Sequence, residues 1–162
     1  MEDFGVRFRI DDASRFEQLR KLFEEIKKEK DSETSRADEE WLPLVPSSVR
    51  ENFYWPTSIE RQGWLKVRDS TPIAIAAPED QLGSKWDFLR VIESFEDGEY
   101  GLLACEPTTE KGVGETRIDP WAYPYGGLGP LIALIEAFNF SVIGVNEYGR
   151  YLSRDDLEQG CE

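Results

Sequence analysis

The hydrophobic period of this chain changes from two to 3.6 within its first 30 residues, and no other feature limits its fold as much. The stretch "FGVRFRI" places Phe4, Val6, Phe8 and Ile10 on one side and Gly5, Arg7 and Arg9 on the other, the alternation of a half-buried strand. Phe16, Leu19, Leu22, Phe23 and Ile26 then recur at helical spacing down to a charged end near Lys30, with "SRFE" at 14–17 in the pattern of a capping box. A one-sided strand followed by an amphipathic helix is the start of a sheet covered by a helix layer.

The rest of the chain extends that plan. "DSETSRADEE" has no aliphatic residue larger than Ala37 and predicts a mobile charged loop at about 31–40. After it, "WLPLVPSSVRENFYWP" predicts an irregular packed segment with one short helix capped by Ser47 or Ser48. "GWLKVRD" and "PIAIAA" read as two strands joined by a turn, and "SKWD" at 84–87 as the cap of a helix over 85–95 that carries Phe88, Val91, Ile92 and Phe95 and stops at Asp97 and Gly98. "EYGLLACE", "EKGVGE" and "TRIDPW" form a strand, turn and strand, followed by a helix over 130–138, a stop at Asn139, the strand "SVIGVNE" and a polar C-terminal tail at about 152–162. With 162 residues, 40% of them hydrophobic, there is material for one sizeable core. The expected fold is a single α+β domain: a mixed or largely antiparallel sheet of about five or six strands with three or four helices packed on it.

Charge narrows the partners. The chain has 33 acidic and 19 basic residues, a net charge of −14, and residues 96–162 alone hold 13 acids against 4 bases. Such a field repels nucleic-acid phosphate and anionic lipid, and the densest basic stretch, Lys27, Lys28 and Lys30, is interleaved with Glu24, Glu25 and Glu29. A basic protein is the partner this composition fits; nucleic acid and membrane are not. Two cysteines make no disulfide framework, "MEDFGVRFRIDD" lacks the basic and apolar regions of a secretory leader, and no window reaches the ~18 apolar residues of a membrane span. A cytoplasmic location is expected.

The chain contains no histidine. That removes histidine general acid–base chemistry, Ser-His-Asp and Cys-His nucleophiles and the histidine-containing zinc sites. Cys105, in "GLLACE" beside Glu106, has no base to form a thiolate and reads as a buried structural residue. The turn "YGGLGP" offers Gly127 and Gly129 with Glu147 twenty residues beyond Gly127, the spacing of a dinucleotide fingerprint. Ile132 occupies the place of the third glycine, however, and residues 96–130 set seven acids against Lys111 and Arg117. Pro130 at the start of a helix explains the turn without a ligand, so no cofactor is expected. Asp119 with Glu115 or Glu106 is a candidate carboxylate pair, but no calcium-loop pattern occurs and no metal is expected.

The aromatic run Trp121, Tyr123 and Tyr125 lies inside the most acidic part of the chain. Rigid aromatics with neighbouring charges suit a protein interface. We therefore assign Trp121, Tyr123 and Tyr125 as apolar anchors and Asp119, Glu115 and Glu147 as the charges that orient a basic partner. The profile is similar to that of small acidic bacterial immunity proteins and inhibitors, without any family motif. The competing expectations are a small-ligand binder or carboxylate-dependent hydrolase built on the 119–130 turn, and a scaffold subunit of a larger assembly.

Overall fold

The change of period seen in the first 30 residues is the architecture. In the computed structural model, which describes residues 4–34, 36–54, 86–121, 128–147 and 150–159, strand β1 (Phe4–Arg9) is followed by helix α1 (Ala13–Asp31). Two one-turn helices, α2 (Asp38–Trp41) and α3 (Ser47–Arg50), flank a 3-10 turn at Leu42–Leu44. Short strands β2 (Phe53–Tyr54) and β3 (Trp86–Asp87) pair in parallel as a separate ribbon. Helix α4 (Phe88–Asp97), strands β4 (Tyr100–Pro107) and β5 (Val113–Pro120), helix α5 (Gly129–Ala137), strands β6 (Val142–Glu147) and β7 (Arg150–Ser153) and helix α6 (Arg154–Gln159) complete the order.

Five strands form one sheet in the order β4-β5-β1-β6-β7, every pair antiparallel. The fold is thus α+β with an antiparallel main sheet. Strand β1 is its centre, with Phe4 opposite Ile118 of β5 and Val6 opposite Val145 of β6. Since β5 and β6 both oppose β1, they run in the same direction with β1 between them, and α5 carries the chain over the sheet from one to the other.

One face of the sheet is dry. Phe4, Val6 and Phe8 are each 3% exposed or less, and they share one core with Phe16, Leu19, Leu22, Phe23 and Ile26 of α1, Phe88, Val91, Ile92 and Phe95 of α4 and Leu131, Leu134 and Ile135 of α5. Each large apolar side chain buried there stabilises the fold by about 1.5–3 kcal/mol. Phe8 joins the layers, its ring centroid 6.1 Å from Phe16 and 5.5 Å from Phe140. In α5, Glu136 is exposed while Pro130, Leu131, Ala133, Leu134, Ile135 and Ala137 are buried, as a helix that is apolar nearly all round requires. Asn139 ends that segment at φ 61°, a left-handed conformation that asparagine tolerates.

The caps differ from the sequence expectation. Asp12, not Ser14, caps α1 by accepting from the Arg15 N–H at 3.0 Å, and Asp87, not Ser84, caps α4 through the Leu89 N–H at 2.9 Å. In both cases the carboxylate stands directly before the first helical residue, where its side chain reaches the free N–H groups. At the short helix α3 the N-cap is Pro46, with no side-chain cap. The region read as a polar tail forms β7 and α6 instead, because Leu152 packs against the core while Arg150 and Tyr151 stay exposed. Within the predicted loop, Arg36 contacts Glu25 and Glu29 at 2.7 and 3.0 Å and lies over the buried Trp41 ring. The segments "GWLKVRD" and "PIAIAA" lie outside the described residues. Among the described residues no helix is long and apolar enough to cross a membrane.

Candidate functional site

Strand alternation sends Glu115, Arg117 and Asp119 of β5 to the face opposite the described helices α1, α4 and α5, as antiparallel sheets permit. Its middle is a cross-strand network. Asn146 Nδ2 donates to Glu115 Oε1 at 3.0 Å, Arg7 Nε lies 3.7 Å from the same oxygen, and Arg117 Nη2 donates to Glu106 Oε1 at 2.5 Å. The Arg7 guanidinium also sits 5.7 Å from the centre of the Tyr151 ring, whose hydroxyl donates to the Ile143 carbonyl at 3.1 Å. These contacts link β4, β5, β1, β6 and β7 across one face, although the buried Arg7 Nε makes no hydrogen bond among the described residues.

One corner of the sheet differs. Trp121 extends the β5 alternation by one residue, and its N–H donates to the Glu99 carbonyl at 2.9 Å. Its indole lies against Gly101 of β4, where an added Cβ would come 3.4 Å from the ring. Even so, 63% of Trp121 is exposed, more than any other large hydrophobic among the described residues. Asp119 is on the same strand two residues earlier, Glu99 is across the strand gap, and Asp97 ends α4 nearby; all three are exposed. Among the described residues none of the three has an ion-pair partner within 4 Å.

The basic group at this corner is Lys30, at the end of α1. Its ammonium donates to the Phe95 carbonyl, to Gly98 O at 2.9 Å and to Glu96 O at 3.4 Å, and it lies 5.1 and 5.2 Å from the Tyr100 and Trp121 rings. Burial holds its pKa below that of an ordinary lysine, against the opposing pull of Asp97, Asp31 and Glu96. The charge of Lys30 is thus turned onto the carbonyl end of α4, a favourable place for a cation. The carboxylates outside it stay in water around an exposed ring.

The six predicted interface residues therefore separate. Trp121 and Asp119 are neighbours at the corner. Glu115 shares their strand face but is engaged with Asn146 and Arg7, its side chain 13% exposed. Glu147 ends β6 opposite Arg150, two strands beyond β5, and alternation puts it on the Val145 side of the sheet. Tyr123 and Tyr125 lie outside the described residues, as do Gly126 and Gly127. Glu99, Asp97 and Lys30 were not singled out from the sequence. Glu99 was within reach of it, because the hairpin register that pairs Gly101 with Asp119 carries Glu99 beside residue 121. Lys30 was not, since its partners are more than 60 residues away.

Cys105 is buried, and burial pushes its thiol up to about 12, far from the thiolate needed by a nucleophile. Among the described residues no group of three or more Asp, Glu or Cys could hold a metal ion. Glu106 and Glu115 are directly opposite across β4 and β5, but each is tied to an arginine or amide rather than to its neighbour. Comparison of the chain with protein-family models, with curated proteins and with solved structures gives no match in any of the three.

Proposed function

We propose that this chain is a non-catalytic, inhibitor- or immunity-like binding protein that docks its acidic tryptophan corner onto a basic protein. The observation that carries the reading is Trp121, 63% exposed, beside the exposed carboxylates of Asp119, Glu99 and Asp97. Exposed tryptophans are costly in water and frequent at the centre of interfaces. Carboxylates around such an anchor raise the rate of encounter with a basic surface and reject acidic ones. The net charge of −14 acts in the same direction at longer range.

The test is a pull-down from the host lysate with wild type, Trp121→Ala and the double variant Asp119→Asn with Glu99→Gln. Each is washed at low salt and at roughly 0.5 M, where exposed charge attraction is largely screened. The reading expects one stoichiometric basic protein that wild type retains at low salt and that high salt, the loss of the ring or the loss of the two charges each weakens. Retention indifferent to all three changes overturns it.

A further inference from the structure

We infer that the group received at this corner is an arginine of the partner protein, its guanidinium lying on the outward face of the Trp121 indole and held by the Asp119 and Glu99 carboxylates. The inference rests on the binding reading above and specifies its chemistry. The indole lies against the bare backbone at Gly101, and the Lys30 ammonium is 5.2 Å from the ring centre, yet 63% of Trp121 stays exposed. What remains exposed is flat, electron-rich aromatic surface with one acceptor on β5, Asp119, and one on the residue before β4, Glu99. Lys30 cannot serve those acceptors, because its three donors point to the carbonyls of Phe95, Glu96 and Gly98.

This arrangement distinguishes between the two basic side chains. A guanidinium is planar, so it stacks on an indole while its edge N–H groups stay in plane and reach carboxylates on either side. An ammonium is a compact, strongly hydrated point charge, and it gives up part of its hydration to approach the ring without gaining a second in-plane bond. Asp119 is opposite Gly101, so Glu99, one residue before β4, is its diagonal neighbour at about 7–8 Å, a separation that two carboxylate side chains can close onto different edges of one guanidinium.

Fluorescently labelled hexa-arginine and hexa-lysine peptides, equal in length and charge, test this by anisotropy titration of the full chain at low salt. Hexa-arginine is expected to bind roughly 5-fold more tightly, the scale of a cation–aromatic contact on an exposed ring. Trp121→Ala is expected to bring it down to the hexa-lysine level, Trp121→Phe to leave an intermediate preference, and Asp119→Asn with Glu99→Gln to weaken both peptides. The Trp121 indole N–H resonance, identified by its loss in Trp121→Phe, is expected to shift on addition of hexa-arginine. Equal binding of the two peptides, or an arginine preference that survives Trp121→Ala, overturns the arginine assignment while leaving a charge-driven interface standing. Failure of both peptides to bind overturns the assignment together with the binding reading.

Discussion

The Lys30 ammonium donates to the Gly98 carbonyl at 2.9 Å, 68 residues along the chain, and thereby ties the end of α1 to the end of α4. The same contact places a cation beneath Trp121. Lys30→Met keeps the aliphatic stem and removes every one of those bonds. It is expected to destabilise the fold by about 2 kcal/mol, the usual scale for a hydrogen bond to a charged group, measured as a lower midpoint in urea with unchanged slope. Lys30→Arg is expected to recover part of the loss.

Glu115 and Asp119 are on the same strand face but are predicted to behave oppositely. Glu115→Gln disturbs the contacts to Arg7 and Asn146 and is expected to cost about 1 kcal/mol of stability, with little effect on partner retention. Asp119→Asn touches no partner within the described residues. It is expected to leave the melting temperature within a few degrees, as surface substitutions do, and to weaken partner retention in low salt.

Two glycines make a matched pair. A Cβ at Gly5 would lie 2.2 Å from the Thr116 carbonyl oxygen on the neighbouring backbone of β5, so β1 and β5 must separate to accept Gly5→Ala. The expected loss is about 3 kcal/mol, at the upper end for overpacking. At Gly129 a Cβ meets nothing within 4 Å outside its chain neighbours, so Gly129→Ala faces only the Pro130 ring that follows it and is expected to change stability by less than about 1 kcal/mol. Urea denaturation of both variants checks the contrast.

The Glu25 carboxylate accepts from Arg36 at 2.7 Å, and this bond holds its pKa below the ordinary value of 4.5. The folded state therefore binds this proton less readily than the unfolded chain. The associated stability is present above about pH 4.5 and is lost as the pH falls through the lowered value. Comparing wild type with Arg36→Gln, the gap in stability is expected to narrow between about pH 5 and pH 3. A gap that does not change with pH would mean that the contact of Arg36 with Trp41 accounts for the whole effect.

Cys105 supplies a chemical check on the core. Its thiol, buried and pushed up to about 12, is expected to resist a thiol reagent at about pH 8 in the native protein and to react fully in denaturant. Cys161→Ser provides the background with a single thiol.

How much of this was legible in the sequence depended on how local each signal was. β1, α1, the β4–β5 hairpin, α5 and β6 follow from periods and turn residues that need no tertiary information. β7 was missed because "RYLS" is four residues long and only Leu152 is turned to the core, too short for an alternation to show. The corner was half legible. Trp121 and Asp119 are two residues apart in a strand, so their pairing is local, whereas Glu115 was assigned to the interface because sequence gives its charge but not the Asn146 and Arg7 groups that occupy it. Glu147 was grouped with them by composition alone, and the strand order separates it.

The central position of β1 also orders events in time. Its ladder partners are distant: Phe4 faces Ile118 and Gly5 faces Asn146. During synthesis at about 5–20 residues per second, roughly ten seconds pass between the emergence of β1 and that of β6. The β4–β5 hairpin closes on itself in microseconds, so it stands ready as the template when β1 arrives. β1 is therefore made before its ladder partners and enclosed after them, and closing this sheet carries the loop entropy of pairs more than 100 residues apart.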